Sequence, residues 1–433
     1  MGLGIVVGLA LLLRLAAVLW LSDTFPYSDY FYYHDAARAA ATDWGLWFDV
    51  DAIQRFAKLS WWPPGYPVFL GMVYEVVGVN HRVIVFVQAF LGAATTAFVY
   101  LIGLHAATSW GPVAARRVAL IAALLVACNP TYIFVTNLLA SENLFVFWLS
   151  FGLWLALRAG DRRRDFIFVG AALVLATYAR AIGILVPFVV AWAWFRTQPN
   201  RSAWRRATLW MFAAFFALLL PWTARNALIV GSPALISHGG GVNFYYGNNP
   251  DFIGFRQIAQ TPMRGLKDPA SVDAQARKLA LQYILADPGA AIVRGFKKLG
   301  PLFSPPRYAM QANNAVSLPA GWEEDAALTQ QVEETRARQR PKSRILRGPL
   351  TVTASIMSFT LLAGLLLSLA LWKRLTPQIR WFAWLSIAWV ALHMIFWAQP
   401  RFRYPIELYT SVLTASVIVL AIQMRAGKKK HGT

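Results

Sequence analysis

The acids of one short segment are the first residues in this 433-residue chain that could do chemistry. Between positions 23 and 51 stand Asp23, Asp29, Asp35, Asp43, Asp49 and Asp51, directly after an apolar run long enough to cross a bilayer. The segment begins S-D-Y-F-Y-Y-H-D-A-A-R at Ser28 and closes on W-W-P-P-G-Y-P at Trp61 to Pro67. On a helix, Asp29, Tyr33 and Ala36 or Ala37 share one face, with Arg38 near the same side. A carboxylate beside tyrosines could take a proton from a hydroxyl nucleophile. Ser28 or Asp29 could equally cap the helix that follows. Trp61 and Trp62 read either as an interfacial aromatic belt or as a wall for a sugar or lipid acceptor.

Further candidates lie at the same ends of other apolar runs. Glu142, in A-S-E-N-L-F, either caps a helix together with Ser141 and Asn143 or awaits a partner from elsewhere. Arg180 in T-Y-A-R-A, Arg225 in P-W-T-A-R-N, and Arg401 and Arg403 in Q-P-R-F-R-Y-P sit against the usual charge bias of membrane proteins. Guanidinium groups suit a phosphate, which they grip bidentately; the alternative is snorkelling to lipid headgroups. The run from His238 to Pro250 lacks the G-K-[ST] of a phosphate loop. It is expected to form tight turns over a cavity, with His238, Asn243, Tyr245 and Asn248 toward a sugar. The remaining histidines, His393 among them, show no ligand spacing.

These residues need a scaffold. The chain is 58% hydrophobic and 14% charged, against roughly 25% charged in a soluble domain. Apolar runs of about 20 residues recur, so the fold class is an all-α polytopic membrane protein. The net charge of +21 does not indicate nucleic acid, because the basic residues fall in short blocks between apolar runs, such as Arg162-Arg163-Arg164 and Lys428-Lys429-Lys430. Cys128 is the only cysteine, which excludes a disulfide framework.

Ten spans are expected, near 2–22, 83–104, 118–133, 143–158, 166–179, 181–196, 207–224, 349–372, 381–398 and 405–424. An even number places both termini on one side, and the basic blocks make that side the cytoplasm. Two large extracytoplasmic loops follow. The first, 23–82, ends in an apolar helix from Pro64 to Val79 lying along the membrane. The second occupies 225–347, with a helical patch at 271–299 and a polar stretch at 311–345 read as a surface helix or a mobile loop. The chain thus divides into an N-terminal membrane module (1–224), the second loop region with interfacial helices (225–347) and a C-terminal membrane module (348–433). The first apolar segment is expected to be retained rather than cleaved, and no soluble domain is expected after the last helix.

The D-x-x-x-Y of Asp29 and Tyr33 with Arg38 behind it, P-P-G-Y-P, S-E-N-L-F, the arginine at 180, P-W-T-A-R-N, G-N-N-P and R-F-R-Y-P-I occur in an order that resembles the GT-C membrane glycosyltransferases. The nearest likeness is to the bacterial dolichyl-phosphate-mannose–protein mannosyltransferase-like group, which also resembles the aminoarabinose transferases. The resemblance implies an inner-membrane enzyme with a polyprenyl-phosphate sugar donor, a lipid, glycan or protein acceptor, and Asp29 as the catalytic acid of the first loop. Where many relatives carry a second acid directly after the first, this chain has Tyr30, and the next carboxylate is Asp35. A divalent cation such as Mg or Mn would have Asp29, Asp35 and Glu142 as its ligands. The rival readings are a glycan ligase acting on a lipid pyrophosphate, with His238 as its histidine, and a non-enzymatic transporter of lipid-linked sugars. A transporter needs polar residues along helix interiors, and only Arg14 stands out there.

Overall fold

The computed structural model describes residues 2–20, 33–34, 36–38, 60–251, 263, 266, 268–304 and 326–430. Helix α1 (Gly2–Trp20) leads to the helical residues 33–34 and 36–38, then to α2 (Gly65–Val77) and α3 (His81–Ala106), the latter capped by the Asn80 side chain. Next come α4 (Pro112–Ala127), the short α5 (Pro130–Val135), α6 (Ser141–Arg158) and α7 (Arg163–Ala179). A 3-10 turn (Ala181–Leu185) feeds α8 (Val186–Thr197), and α9 (Arg201–Ile229) follows. Then come α10 (Gly240–Asn248), α11 (Pro269–Ala286), α12 (Pro288–Lys297) and α13 (Leu299–Phe303). Last come α14 (Ala326–Ala370), α15 (Pro377–Ile395), the 3-10 turn Pro400–Arg403, and α16 (Tyr404–Lys430).

Every expected span has a helix, though not always with the expected limits. The third is broken: α4 stops at Ala127, the Asn129 side chain accepts from the Thr131 amide at 2.9 Å, and Pro130 opens α5. Asparagine followed by proline ends one helix and caps the next. The irregular backbone after α5 is satisfied by Gln88, whose Nε2 donates to the carbonyls of Thr136 (2.8 Å) and Leu138 (2.9 Å). Buried polar backbone away from water requires such a partner. In the eighth span, residues 326–347 of the polar stretch run into the apolar segment as one helix.

Among the described residues, five helical segments are long and apolar enough by themselves to cross a membrane: Gly2–Trp20, His81–Ala106, Arg201–Ile229, Gly348–Ala370 and Pro400–Ala426. Of these, Pro400–Ala426 is 83% buried inside the protein, against 22% for Gly2–Trp20. Helix α16 is therefore the hub, packed on α4, α14 and α15. Arg14, wholly buried, donates to the carbonyls of Ala10 (2.9 Å), Val126 (3.4 Å) and Ala127 (3.5 Å). It thus satisfies the C-terminal carbonyls of α4, as cations do at helix ends.

Candidate functional site

The N-terminus of α6, the C-terminus of α7 and the α15–α16 connection meet at one end of the bundle. Arg180 follows α7 in extended conformation, which turns its side chain off the helix axis toward α6. Its Nη1 lies 2.8 Å from Glu142 Oε1 and donates to Ser141 Oγ at 3.1 Å. Glu142 is nearly enclosed, and Arg180 keeps a fifth of its side chain in solvent. Glu142 stands in the first turn of α6, where the helix dipole favours a negative charge. Ser141, Glu142 and Asn143 do not cap the helix: Ala140 is its N-cap and no side chain closes it. Asn143 instead joins α5 to α16, donating to the Val135 carbonyl (2.9 Å) and accepting from the Tyr404 hydroxyl (3.2 Å).

The first loop reaches this cluster through Tyr33. Its hydroxyl lies 3.4 Å from Ser141 Oγ, and its ring meets Trp62 and Tyr66 edge-on at 6.2 and 5.1 Å. The adjacent His34 Nδ1 is 3.1 Å from the Tyr74 hydroxyl on α2. Burial, with His81 and Arg38 nearby, pushes the His34 imidazole down to about 3. Arg38 is exposed. Asp29 and Asp35 lie outside the described residues.

Across the site, Phe402 is an aromatic hub. The guanidinium carbons of Arg180 and Arg401 stand 5.8 and 5.4 Å from its ring centroid. Its carbonyl accepts from the Trp389 indole at 2.9 Å. His393, which no sequence spacing marked, is buried with its ring 5.7 Å from Trp389 and 5.4 Å from Phe402. Its Nδ1 is 2.8 Å from the Trp389 carbonyl and therefore carries the proton. The available signal was position: His393 ends α15, eight residues before Arg401.

Arg403 has a different setting. Its Nε donates to Glu407 Oε1 (2.8 Å), its Nη1 to the carbonyls of Leu302 and Ser304 (both 3.0 Å), and its Nη2 to Ser358 Oγ (2.8 Å). Asn129 Nδ2 donates to the other Glu407 oxygen at 2.7 Å. Snorkelling is excluded for Arg403, which is buried. Arg225, also buried, donates from Nη1 to Asn226 Oδ1 (3.1 Å) and lies over Trp222 at 4.8 Å. The P-W-T-A-R-N motif folds the next segment back on α9: Trp222 donates to the Ile236 carbonyl (2.8 Å) and Asn226 to that of Ala234 (2.9 Å).

The glycine run does not form tight turns; it is helix α10. A Cβ on Gly241 would strike the Asp273 carbonyl oxygen of α11 at 2.1 Å, and one on Gly247 the Phe396 backbone at 2.6 Å. The glycines are there for close approach, not for turning. The Asn243 side chain donates to the Gly239 carbonyl (2.9 Å), and its backbone carbonyl accepts from the Trp397 amide (3.1 Å). Asn248 donates to the Phe244 and Ile395 carbonyls, both at 2.9 Å. The Tyr245 hydroxyl accepts from Asn249 at 2.7 Å. The Asn248 side chain and the Asn243 backbone carbonyl clasp the connection that carries Arg401. Trp61 packs with this group and Trp62 with Tyr33, and both are half-buried. The His238 amide donates to the Ser60 carbonyl at 2.6 Å, while both buried ring nitrogens have no hydrogen-bond partner. Burial holds that imidazole below its ordinary range, against the opposing pull of Asp273.

The described residues contain no group of three His, Cys, Asp or Glu able to hold a metal. Glu142 is the one described member of the expected acid set, and its Oε1 is already on Arg180.

Residues 62–224 match the family model described as dolichyl-phosphate-mannose-protein mannosyltransferase. No curated protein sequence matches the chain. Among solved structures, the chain is similar to the apo form of an oligosaccharyltransferase from Archaeoglobus fulgidus, at 16% identity and TM-score 0.56, covering 99% of this chain and 51% of that one. The complex of that enzyme with Zn and sulfate gives 16% identity and TM-score 0.54, with 98% and 49% covered. The archaeal oligosaccharyltransferase AglB from the same organism, in complex with an inhibitory peptide and a dolichol-phosphate, gives 15%, TM-score 0.50, and 99% and 52% covered. The chain thus spans about half the length of the solved structures it matches. The GT-C fold implied by the sequence motifs is present, in a membrane protein, and both kinds of match are to enzymes that transfer sugars.

Proposed function

We propose that this chain is a membrane glycosyltransferase that moves a sugar from a polyprenyl-phosphate donor to an acceptor hydroxyl at the loop-bearing face of the membrane. The carrying observation is the convergence of Glu142, Ser141, Arg180, Tyr33 and Arg401 around Phe402 at one end of the bundle. Only Arg180 and Arg401 of the four expected arginines share this aromatic hub. Arg403 spends its donors within the protein, so the donor phosphate is assigned to Arg180 and Arg401, with Arg225 as a further candidate.

In this reading Asp29, four residues before Tyr33, accepts the proton of the acceptor hydroxyl. The hydroxyl oxygen attacks the anomeric carbon, the bond from that carbon to the phosphate oxygen breaks, and its electron pair leaves with the polyprenyl phosphate. One displacement inverts the configuration. The guanidinium groups offset the charge developing on the leaving phosphate in a site sheltered from water. Glu142 holds Arg180 in place for that task. The ten spans expected from the sequence, with basic blocks between them, support cytoplasmic termini and an extracytoplasmic site. The match to the mannosyltransferase family and the dolichol-phosphate in the AglB complex support the donor class. Asp35, Arg38, Trp62 and the acceptor class belong to the same proposal.

The test is release of free polyprenyl phosphate from radiolabelled polyprenyl-phosphate sugars by the purified protein in detergent, with and without chelator. Asp29→Asn should fold normally and lose transfer by roughly 10²–10⁴-fold. Retained turnover in Asp29→Asn would remove Asp29 from the mechanism. Turnover restricted to lipid pyrophosphates and dependent on His238 would instead favour the ligase reading, which the unpartnered His238 ring keeps in play.

A further inference from the structure

Helix α12 lies across the end of α15 and presents two unlike faces. Ala291, Arg294, Gly295 and Lys298 recur at three and four residues and form the inward stripe. Gly295 sits flush on α15: a Cβ there would come within 3.2 Å of the Met394 carbonyl oxygen. Lys298, wholly buried, donates from Nζ to the carbonyls of Met394 (2.7 Å) and Ile395 (3.1 Å). Cations are favoured at such a C-terminal end. Beside it, Nε and Nη2 of Arg294 are buried and have no hydrogen-bond partner. Arg294 and Lys298 are four residues apart, where like charges repel. Burial, and then Arg294, pushes the Lys298 ammonium down to about 7. The nearest acid along the chain, Asp287, is spent at the other end of the helix, where Oδ1 accepts from the Ala290 amide at 2.8 Å.

The outward stripe is apolar and uncovered. Ile292 is 63% exposed, Val293 52% and Phe296 60%. It continues the exposed apolar surface of α15 at Ile395. Arg294 itself is half-buried, and its two buried nitrogens without an acceptor carry a desolvation cost that an anion would remove. An anion attached to apolar chains would fit both faces at once. We propose that Arg294, with the Lys298 charge behind it, holds the phosphate of an anionic membrane phospholipid, whose acyl chains lie along Ile292, Val293 and Phe296. This site is separate from the Arg180–Glu142 pair and does not depend on the proposed transfer reaction.

The probe is phosphatidylglycerol. The full-length protein, reconstituted in discs of equal parts phosphatidylcholine and phosphatidylglycerol, is released and weighed by native mass spectrometry. Wild type should retain phosphatidylglycerol in preference to phosphatidylcholine. Arg294→Gln removes no hydrogen bond within the protein and should lower that retention about tenfold. The double variant Ile292→Ser with Phe296→Ser should lower it as well. Equal retention of the two lipids, or undiminished phosphatidylglycerol on Arg294→Gln, would overturn the site. Displacement of the lipid by excess inorganic phosphate, with the Ile292→Ser/Phe296→Ser protein behaving like wild type, would reassign it to free phosphate. Displacement by polyprenyl phosphate with the same Arg294 dependence would make it part of the donor path and overturn the phospholipid assignment.

Discussion

Two arginine–glutamate pairs in this protein have the same length and opposite surroundings. Arg180 and Glu142 meet at 2.8 Å, as do Arg403 and Glu407. The second pair is 3% and 2% exposed, and its remaining groups are engaged by Leu302, Ser304, Ser358 and Asn129. It joins α16 to α13, to α14 and to the α4–α5 junction. The first pair joins only the neighbouring helices α6 and α7, and its arginine remains partly in solvent under an aromatic ring. A saturated buried pair fixes a packing arrangement; an open pair has donors left for a ligand. Charge and spacing alone would give the two arginines one role, and enclosure separates them.

The largest effect is expected where that comparison can be broken outright. Arg403→Ala or Glu407→Ala leaves an uncompensated charge in the interior and should cost about 3–5 kcal/mol. Thermal unfolding in detergent should register it as a large fall in Tm, while the Arg403→Met/Glu407→Leu double variant, which removes both charges, should fall less. A single variant with wild-type Tm would mean the pair is not the staple described. The converse holds at the open pair. Glu142→Gln should lower transfer by roughly 10²–10³-fold if Arg180 serves the leaving phosphate. It should move stability by only about 1 kcal/mol or less, because the arginine is partly solvated. A Tm loss equal to that of Glu407→Ala would erase the distinction.

Much of this was legible in the sequence, and the failures have specific causes. Hydrophobic run length located a helix at every expected span, because a bilayer demands apolar runs whatever the neighbours do. The break at Asn129-Pro130 was written in the chain, yet the surrounding apolar run masked it. The buried partner of Arg403 was also legible: Glu407 follows it by four residues on one helix face. Treating Arg401 and Arg403 as equivalent overlooked that the R-F-R spacing points two arginines in different directions. The run His238 to Pro250 misled because glycine favours turns when nothing else is known. Here α11 and the Phe396–Trp397 backbone approach so closely that a helix of glycines is what fits. His393 carries no motif; its proximity to Phe402 exists only after α15 and α16 pack.

The clasp around the open pair offers a smaller perturbation. Gly247→Ala would set a methyl against the Phe396 backbone and should cost about 1–3 kcal/mol. Because Asn243 and Asn248 on the same helix hold the connection leading to Arg401, transfer should decline more than stability. Equal decline of the two would show that α10 supports the fold without positioning the site. Gly240→Ala, where a Cβ meets nothing within 4 Å, is the matched control.

A further expected effect is a slope with pH, and its sign follows from Lys298. Its ammonium is held down to about 7 in the folded protein, from a reference of 10.5. Between those values the unfolded chain binds a proton that the folded chain does not, so this residue makes stability rise with pH across that window. Below about pH 7 the cost of burying the charge is present in full; above about pH 10.5 it is gone. Lys298→Met should flatten the rise of Tm between pH 7 and 10 while losing the bonds to Met394 and Ile395. Arg294→Gln should lessen it too, since Arg294 is the second cause of the depression after burial. An unchanged slope in both variants would place the titrating group elsewhere. The contrast with the Arg403–Glu407 pair is chemical: arginine keeps its charge in the interior by taking a carboxylate with it, whereas a lysine set on carbonyls alone can give up its proton.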